Sequence, residues 1–241
     1  MLASQHVLVI NPNTSHSVTE RLLLQLSLGM PDVQLHGATA AFGAPYIADE
    51  YSYCVAGHAV LDAWARAQLQ APQGGYTAVL VGCFGDPGLP ALTEVAGIPV
   101  LGLAQAAVQA MARQGWQRVA VVTGGEKWQL MLERWSRAAG YAGPADALSK
   151  DLQIVQIRTL PATGLQMMQS PDATAQALGQ ASAHSLKTSG AQVVLLGGAG
   201  LAGMGTRVRA STGLPVWDCV EAAQQSLQHA LAATTRSVAI R

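Results

Sequence analysis

Cys83 is the residue of this chain whose type and setting best suit a reactive role. It ends an apolar run, Val-Leu-Val-Gly-Cys83-Phe-Gly, and a related segment with glycine in its place, Val-Leu-Leu-Gly-Gly198-Ala-Gly, occurs later. An apolar run that ends in a glycine-rich turn is typical of a buried strand opening into a loop, where open α/β sheets bind ligands. The repeat therefore predicts two such loops facing one cleft, with a thiol on one side only.

The three cysteines differ in their surroundings. Cys83 ends its strand among glycines, close to backbone N–H groups and a helix N-terminus, so we expect an accessible thiol whose pKa lies below the usual value of about 8.5. Cys54 lies on an apolar helical stretch, where a buried and inert thiol is expected. Cys219 follows the last strand, and its simplest interpretation is a small residue at a helix start or in the core.

Polar residues follow the strand that begins each half of the chain. Asn11, Asn13 and Thr14 come after the first strand, with a proline among them, and Thr123 and Gly124 come after the strand that starts the second half. Such residues can cap the following helix or bind a polar ligand at its N-terminus. By the repeat, Thr123 occupies the place of Asn11, and we expect both loops to reach the ligand.

The alternation of strands and helices predicts an α/β fold with parallel sheets. Predicted strands are His6–Asn11, Val33–Gly37, Ala78–Gly82, Pro99–Gly102, Arg118–Thr123, Leu152–Ile157, Gln192–Gly197 and Pro215–Trp217. Predicted helices lie near 17–28, 51–68, 104–114, 126–139, 172–189 and 219–233. The repeat predicts two similar lobes related by a pseudo-twofold axis, with the active site in the cleft between them. The first lobe would comprise 1–103 plus 217–241, and the second 104–216.

The composition bounds the class of partner. The chain has 241 residues, of which 12% are charged, and its formal net charge is zero. Soluble proteins average about 25% charged residues, so nothing favours binding to nucleic acid or to an anionic membrane. A small molecule is the expected partner, and a homo-oligomer is expected because it buries a sparsely charged surface.

Several other classes find no support. No targeting signal is visible, and no apolar run approaches the roughly 18 residues that cross a membrane, so a cytoplasmic location is expected. The three cysteines have no paired spacing and the six histidines are scattered. We therefore expect neither a disulfide framework nor a metal site, and no glycine motif indicates a nucleotide cofactor.

At these motifs the chain resembles the hydantoin racemases of the aspartate/glutamate racemase superfamily. The resemblance rests on Ile10–Thr14, Cys83–Gly88, Val122–Trp128, Leu196–Gly200 and Pro215–Asp218. It implies a cofactor-independent racemase, an isomerase in which two cysteines flank the substrate's α-carbon. One thiolate removes the proton, the opposite thiol returns one, and backbone amides stabilise the enolate-like intermediate.

The resemblance also implies roles for individual residues. Cys83 would be one acid/base, whereas Gly198 stands where the family carries its second cysteine. Loss of a catalytic acid/base typically costs about 10²–10⁴-fold in rate, so two-thiol racemisation through this position is in question. The implied substrate contacts are Asn11, Asn13, Thr14, Phe84, Gly85, Thr123, Gly124 and Ala199.

Three hypotheses follow from this departure. The chain is a racemase whose second acid/base comes from elsewhere, with Cys219 as the candidate. Alternatively, it is a one-thiol enzyme that protonates an enolate from one side, as arylmalonate decarboxylase does with its cysteine in the other loop. The third hypothesis is a small-molecule-binding relative without catalysis. A 5-substituted hydantoin, allantoin, an amino acid or a substituted malonate each fits the motifs.

Overall fold

The computed structural model describes residues 5–143 and 152–239. In this part of the chain, short apolar strands alternate with helices. The strands are β1 (Gln5–Asn11), β2 (Val33–Thr39), β3 (Ala78–Val81), β4 (Val100–Gly102), β5 (Arg118–Gly124), β6 (Gln153–Leu160), β7 (Val193–Gly197) and β8 (Val216–Asp218). The α-helices are α1 (His16–Gly29), α2 (Glu50–Gln68), α3 (Leu89–Ala96), α4 (Leu103–Arg113), α5 (Trp128–Ala138), α6 (Gly164–Gln169), α7 (Pro171–Ser189), α8 (Met204–Thr212) and α9 (Cys219–Ala239).

The strands form two four-stranded parallel sheets. Their orders are β2-β1-β3-β4 and β6-β5-β7-β8, so the second sheet repeats the first. The central strands β3 and β7 are buried along their whole length, which explains their uninterrupted Val and Leu runs. The predicted α/β fold with two similar parallel lobes is confirmed.

The strand register relates the two loops of the repeat. Val81 of β3 pairs with Ile10 of β1, and Leu196 of β7 pairs with the residue at the equivalent place in β5. Cys83 follows Val81 by two positions, and Gly198 follows Leu196 by two positions. The fold therefore makes Gly198 the structural counterpart of Cys83.

Helix α9 packs against both α4 and α1. The Ser226 hydroxyl donates a hydrogen bond to the carbonyl of Ala106 on α4 over 2.5 Å, and Gln224 donates to the carbonyl of Leu26 on α1 over 3.2 Å. The last helix thus ties the two halves together, and the lobe boundaries proposed above stay a prediction. None of the helices within the described residues is long and apolar enough to span a membrane.

Three short helices were not predicted from the sequence, namely α3, α6 and α8. The first follows Gly88 and the last follows Gly203, and both glycines adopt left-handed backbone conformations, with φ of 73° and 85°. Glycine-rich stretches predict loops, and these helices are too short for a clear apolar periodicity. The same stretches contain the loops that surround the cleft.

The expectation for Cys54 was wrong, because its side chain is exposed. Helix α2 buries one narrow face made of small residues, among them Ala56, Ala59 and Ala63. Cys54 falls on a different side of this helix. Since almost every residue around Cys54 is apolar or small, the pattern of residues does not indicate which face is buried.

Candidate active site

A cavity of about 50 Å³ lies at the carboxyl ends of both sheets. Each of the four predicted loops contributes a residue to its wall: Asn13 after β1, Cys83 after β3, Thr123 in β5 and Gly198 after β7. The cleft predicted from the repeat is therefore where the sequence analysis placed it. The remaining lining residues are Val18, Pro45, Tyr46, Ile47, Gly82, Phe84, Gly124, Trp128, Gly164, Leu165, Met168, Gly197, Ala199, Gly200 and Leu201.

Cys83 lines this cavity but is only 8% exposed. Burial raises the pKa of its thiol far above the ordinary value, and the nearby Asp86 carboxylate raises it further. The expectation of an accessible thiol with a lowered pKa was therefore wrong. Cys83 is therefore a buried thiol in the cavity wall, and its surroundings oppose its ionisation.

Asp86 explains why the nearby helix start does not stabilise a Cys83 thiolate. Its carboxylate accepts hydrogen bonds from the N–H groups of Ala104, over 2.8 Å, and Gln105, over 2.9 Å, in the first turn of α4. The positive end of this helix is therefore already paired with a carboxylate. Burial raises the pKa of Asp86 to about 7, against the opposing effect of these hydrogen bonds. The sequence analysis did not single out this residue.

The opposite wall contains Gly198, whose φ is 118°. A Cβ atom built on this residue would lie 3.6 Å from the Thr123 hydroxyl oxygen and 3.9 Å from Cγ of Leu201. These are ordinary contact distances, so the wall has room for a small side chain. The positive φ would nevertheless strain any residue other than glycine.

Cys219 begins α9 and is fully buried. Its thiol accepts a hydrogen bond from the Gly198 N–H group, yet Cys219 is not among the residues that line the cavity. Burial raises the pKa of this thiol, as does the neighbouring Asp218. Cys219 therefore contacts the Gly198 loop without reaching the cavity wall.

Of the predicted binding residues in the first polar loop, only one lines the cavity. Asn13 lines the cavity, whereas Asn11 is completely buried and Thr14 lies outside the lining. The Asn11 amide donates hydrogen bonds to the Asn13 side chain, over 3.0 Å, and to the Ser15 carbonyl, over 2.9 Å. Asn11 thus holds the loop in shape, and Asn13 is the member that faces the cavity.

All but one of the other predicted substrate contacts line the cavity. Phe84, Gly124 and Ala199 line the cavity together with Thr123. Gly85 does not, and its carbonyl accepts a hydrogen bond from Tyr53 over 2.5 Å. The Thr123 hydroxyl donates to the carbonyl of Gly197 over 2.7 Å, which fixes the start of the Gly198 loop.

A segment before α2, residues 45–47, covers the cavity from the first lobe. The Trp128 indole N–H donates to the Ile47 carbonyl over 2.9 Å, and the Tyr46 hydroxyl donates to the Gly124 carbonyl over 3.3 Å. Both partners of this segment belong to the second lobe. Leu165 and Met168 of α6 also line the cavity, although nothing in the sequence marked that short helix.

The cavity has no charged wall within the described residues. Its lining residues include no Asp, Glu, Lys, Arg or His, and the polar side chains among them are Asn13, Tyr46, Cys83, Thr123 and Trp128. No three His, Cys, Asp or Glu side chains in residues 5–143 and 152–239 lie together as a metal site would require. The arrangement offers a thiol, neutral hydrogen-bonding groups and backbone amides.

Comparison with known proteins decides the family. The family model described as Asp/Glu/Hydantoin racemase matches residues 7–227. The chain belongs to this family. A hydantoin racemase from Pseudomonas sp. (strain NS671) is 28% identical over 89% of this chain and 81% of its own length. The structure of allantoin racemase from Pseudomonas fluorescens matches with a TM-score of 0.81 and 26% identity, covering 95% of this chain and 92% of that one.

These relatives indicate a racemase, an isomerase. Unliganded arylmalonate decarboxylase matches with a TM-score of 0.61 over 94% of this chain and 93% of its own. At 19% identity, this likeness shows a shared fold alone. The one-thiol hypothesis therefore depends on Cys83 and Gly198 rather than on that likeness.

Proposed function

We propose that this racemase acts, without a cofactor, on a neutral ring of the hydantoin type, and that Cys83 moves the proton on the carbon next to a carbonyl. The observation that carries the proposal is the cavity itself. It has Cys83 in its wall, and no charged side chain contributes to its described lining.

The neutral lining favours one substrate class among those considered above. A free amino acid or a malonate brings ionised groups, and their desolvation costs several kcal/mol unless an opposite charge meets them. The described lining offers no such charge. The amide groups of a hydantoin or allantoin ring are uncharged and need only the hydrogen bonds that Asn13, Thr123 and backbone groups can make.

Backbone amides are available for the developing enolate. The N–H groups of Phe84 and Ala199, which directly follow Cys83 and Gly198, make no hydrogen bond within the described residues. Both residues line the cavity. Preorganised N–H donors of this kind stabilise an oxyanion strongly in a site that excludes water.

Burial of Cys83 suits proton removal from carbon. A thiolate formed at a buried position is more basic than one in water, which brings its basicity closer to that of a carbanion-like intermediate. Once its own proton has passed to solvent, the Cys83 thiolate takes the proton from one face of the α-carbon, and the thiol so formed returns one to the same face. Because Gly198 provides no thiol opposite, we expect exchange of this proton to be faster than inversion.

The test follows proton exchange by NMR in D₂O. A 5-substituted hydantoin, allantoin and a free amino acid, each optically pure, are compared at equal concentration with a substituted malonate, which is not chiral. We expect exchange above the uncatalysed rate for the two neutral rings only. Cys83→Ser should lower that rate by about 10²-fold or more, whereas the matched variant Cys54→Ser should not change it, because Cys54 is exposed. Fastest exchange on the amino acid or malonate would contradict the proposed substrate class.

Cys219 is the candidate for protonation of the second face only if the Gly198 loop opens, because Cys219 does not line the cavity. Its contact with the Gly198 N–H group places it next to the loop where the second thiol is missing. If this role is correct, Cys219→Ala slows inversion and leaves exchange through Cys83 unchanged. Equal rates of inversion in the parent and in Cys219→Ala would exclude it.

A further inference from the structure

We propose that Asp86 is a positioning residue that controls the protonation of Cys83: its buried carboxylate fixes the cysteine loop on α4 and, when ionised, keeps Cys83 in its thiol form. The inference rests on the proposed role of Cys83. Its test measures alkylation of the thiol and not turnover, so each of the two proposals can fail without the other.

The geometry gives Asp86 a dedicated place. Its N–H group donates to the Cys83 carbonyl over 3.1 Å, while its carboxylate accepts from two N–H groups at the start of α4. A Cβ atom at Gly102 would overlap the carboxyl carbon of Asp86, so this glycine leaves the space that the carboxylate fills. One side chain thus connects the thiol's loop to a helix N-terminus.

The charge of Asp86 acts on Cys83 directly. The Asp86 carboxylate opposes ionisation of the Cys83 thiol, in addition to the effect of burial. Because the pKa of Asp86 is about 7, its charge changes near neutral pH. A like charge nearby typically shifts a pKa by about 1–3 units.

The surrounding titratable groups stay neutral in this range. Burial raises the pKa of each of them, in the case of Tyr53 to about 12. The groups facing Cys83 or Asp86 are Tyr46, Tyr53, Tyr141 and Cys219. In that order, they lie before α2, in α2, after α5 and at the start of α9. The charged residues Arg113 and Arg134 act on two of these tyrosines, so Asp86 is the acid that changes charge beside the thiol.

The experiment measures iodoacetamide alkylation of Cys83, quantified on its peptide by mass spectrometry, from pH 5.5 to 9. With Asp86→Asn, we expect the parent's rate below pH 6 and a rate at least about tenfold faster above pH 8, because only the ionised carboxylate suppresses the thiolate. Asp218→Asn is the matched control. Asp218 is also buried and accepts N–H bonds at the start of α9, but it faces Cys219 and not Cys83, so its profile should follow the parent.

The unaltered protein provides a second measurement in case Asp86→Asn does not fold. Ionisation of Asp86 should interrupt the rise of the alkylation rate, giving a flat interval that begins near pH 7 and then a renewed rise. An uninterrupted tenfold increase per pH unit would overturn the proposal. An Asp86→Asn variant that reacts faster by the same factor at every pH would also overturn it, because that result means a loosened loop.

Discussion

At the scale of single residues, the structure corrects the chemistry expected of Cys83. Strand ends and helix starts commonly provide a low-pKa thiol, but here a carboxylate occupies the helix start and the thiol is buried. The site therefore combines a strong base, when it forms, with a low concentration of that base at neutral pH. The chemistry of the cavity depends on how these two effects balance.

Gly198→Cys tests whether the missing thiol limits inversion. A Cβ atom fits beside Thr123 and Leu201, so the new thiol would stand across the cavity from Cys83. We expect faster loss of optical purity relative to proton exchange, measured by chiral chromatography and NMR on the same samples. The φ of 118° should cost about 1–3 kcal/mol of unfolding free energy. Gly198→Ala has the same strain without a thiol, and a similar gain of inversion in that control would refute the interpretation.

At the scale of elements, β1 and β2 are joined by a hydrogen bond between histidines. His6 Nδ1 and His36 Nε2 are 2.9 Å apart, which requires that one ring nitrogen be unprotonated. Burial lowers the pKa of His36 below its ordinary value of 6.5, and the neighbouring His6 lowers it further. This edge of the first sheet is therefore sensitive to acid.

Acid should destabilise the protein through this pair. A histidine whose folded pKa is lowered contributes stability that is complete above the unfolded pKa and is lost as pH falls toward the folded value. We expect the free energy of unfolding in urea to fall between pH 7 and pH 5, and His36→Gln to reduce that fall. His184→Gln, on the exposed side of α7, should leave it unchanged. An identical pH dependence in His36→Gln and the parent would contradict this assignment.

The elements also show which parts of the fold a sequence can reveal. The buried strands were predictable from their uninterrupted Val and Leu runs, and the long helices from the long stretches between those runs. Helix α6 was not, although Leu165 and Met168 line the cavity, because a six-residue helix has too few turns to display a pattern. The burial of Cys83 was missed for a different reason. It depends on tertiary packing, since Trp128 and residues 45–47, which line the same cavity, come from distant parts of the chain.

At the scale of the whole molecule, the cavity is closed by contacts between the lobes. The segment at residues 45–47 is held to the second lobe through the buried hydrogen bond from Trp128 to the Ile47 carbonyl. The ion pair between Lys127 and Asp49 lies at 3.4 Å on the surface, where such pairs contribute little. The indole bond is the shorter of the two hydrogen bonds that hold residues 45–47 to the second lobe, the other being the Tyr46 bond to the Gly124 carbonyl.

Trp128→Phe should open the cavity while preserving most of the packing. Removal of the N–H donor leaves the Ile47 carbonyl unpaired, which costs about 1–3 kcal/mol if the carbonyl stays buried. We expect KM to rise severalfold and iodoacetamide to reach Cys83 faster. Trp64→Phe is the matched control, since Trp64 packs near Tyr76 and does not line the cavity. If both variants have the parent's KM, the segment does not close the site.

The central claim is that Cys83 exchanges the proton next to a carbonyl in a neutral ring. The most direct measurement follows one optically pure 5-substituted hydantoin in D₂O, by NMR for deuterium uptake and by chiral chromatography for inversion. We predict deuterium uptake faster than inversion, with both lost in Cys83→Ser and retained in Cys54→Ser. Uptake that is unchanged by Cys83→Ser would contradict the claim.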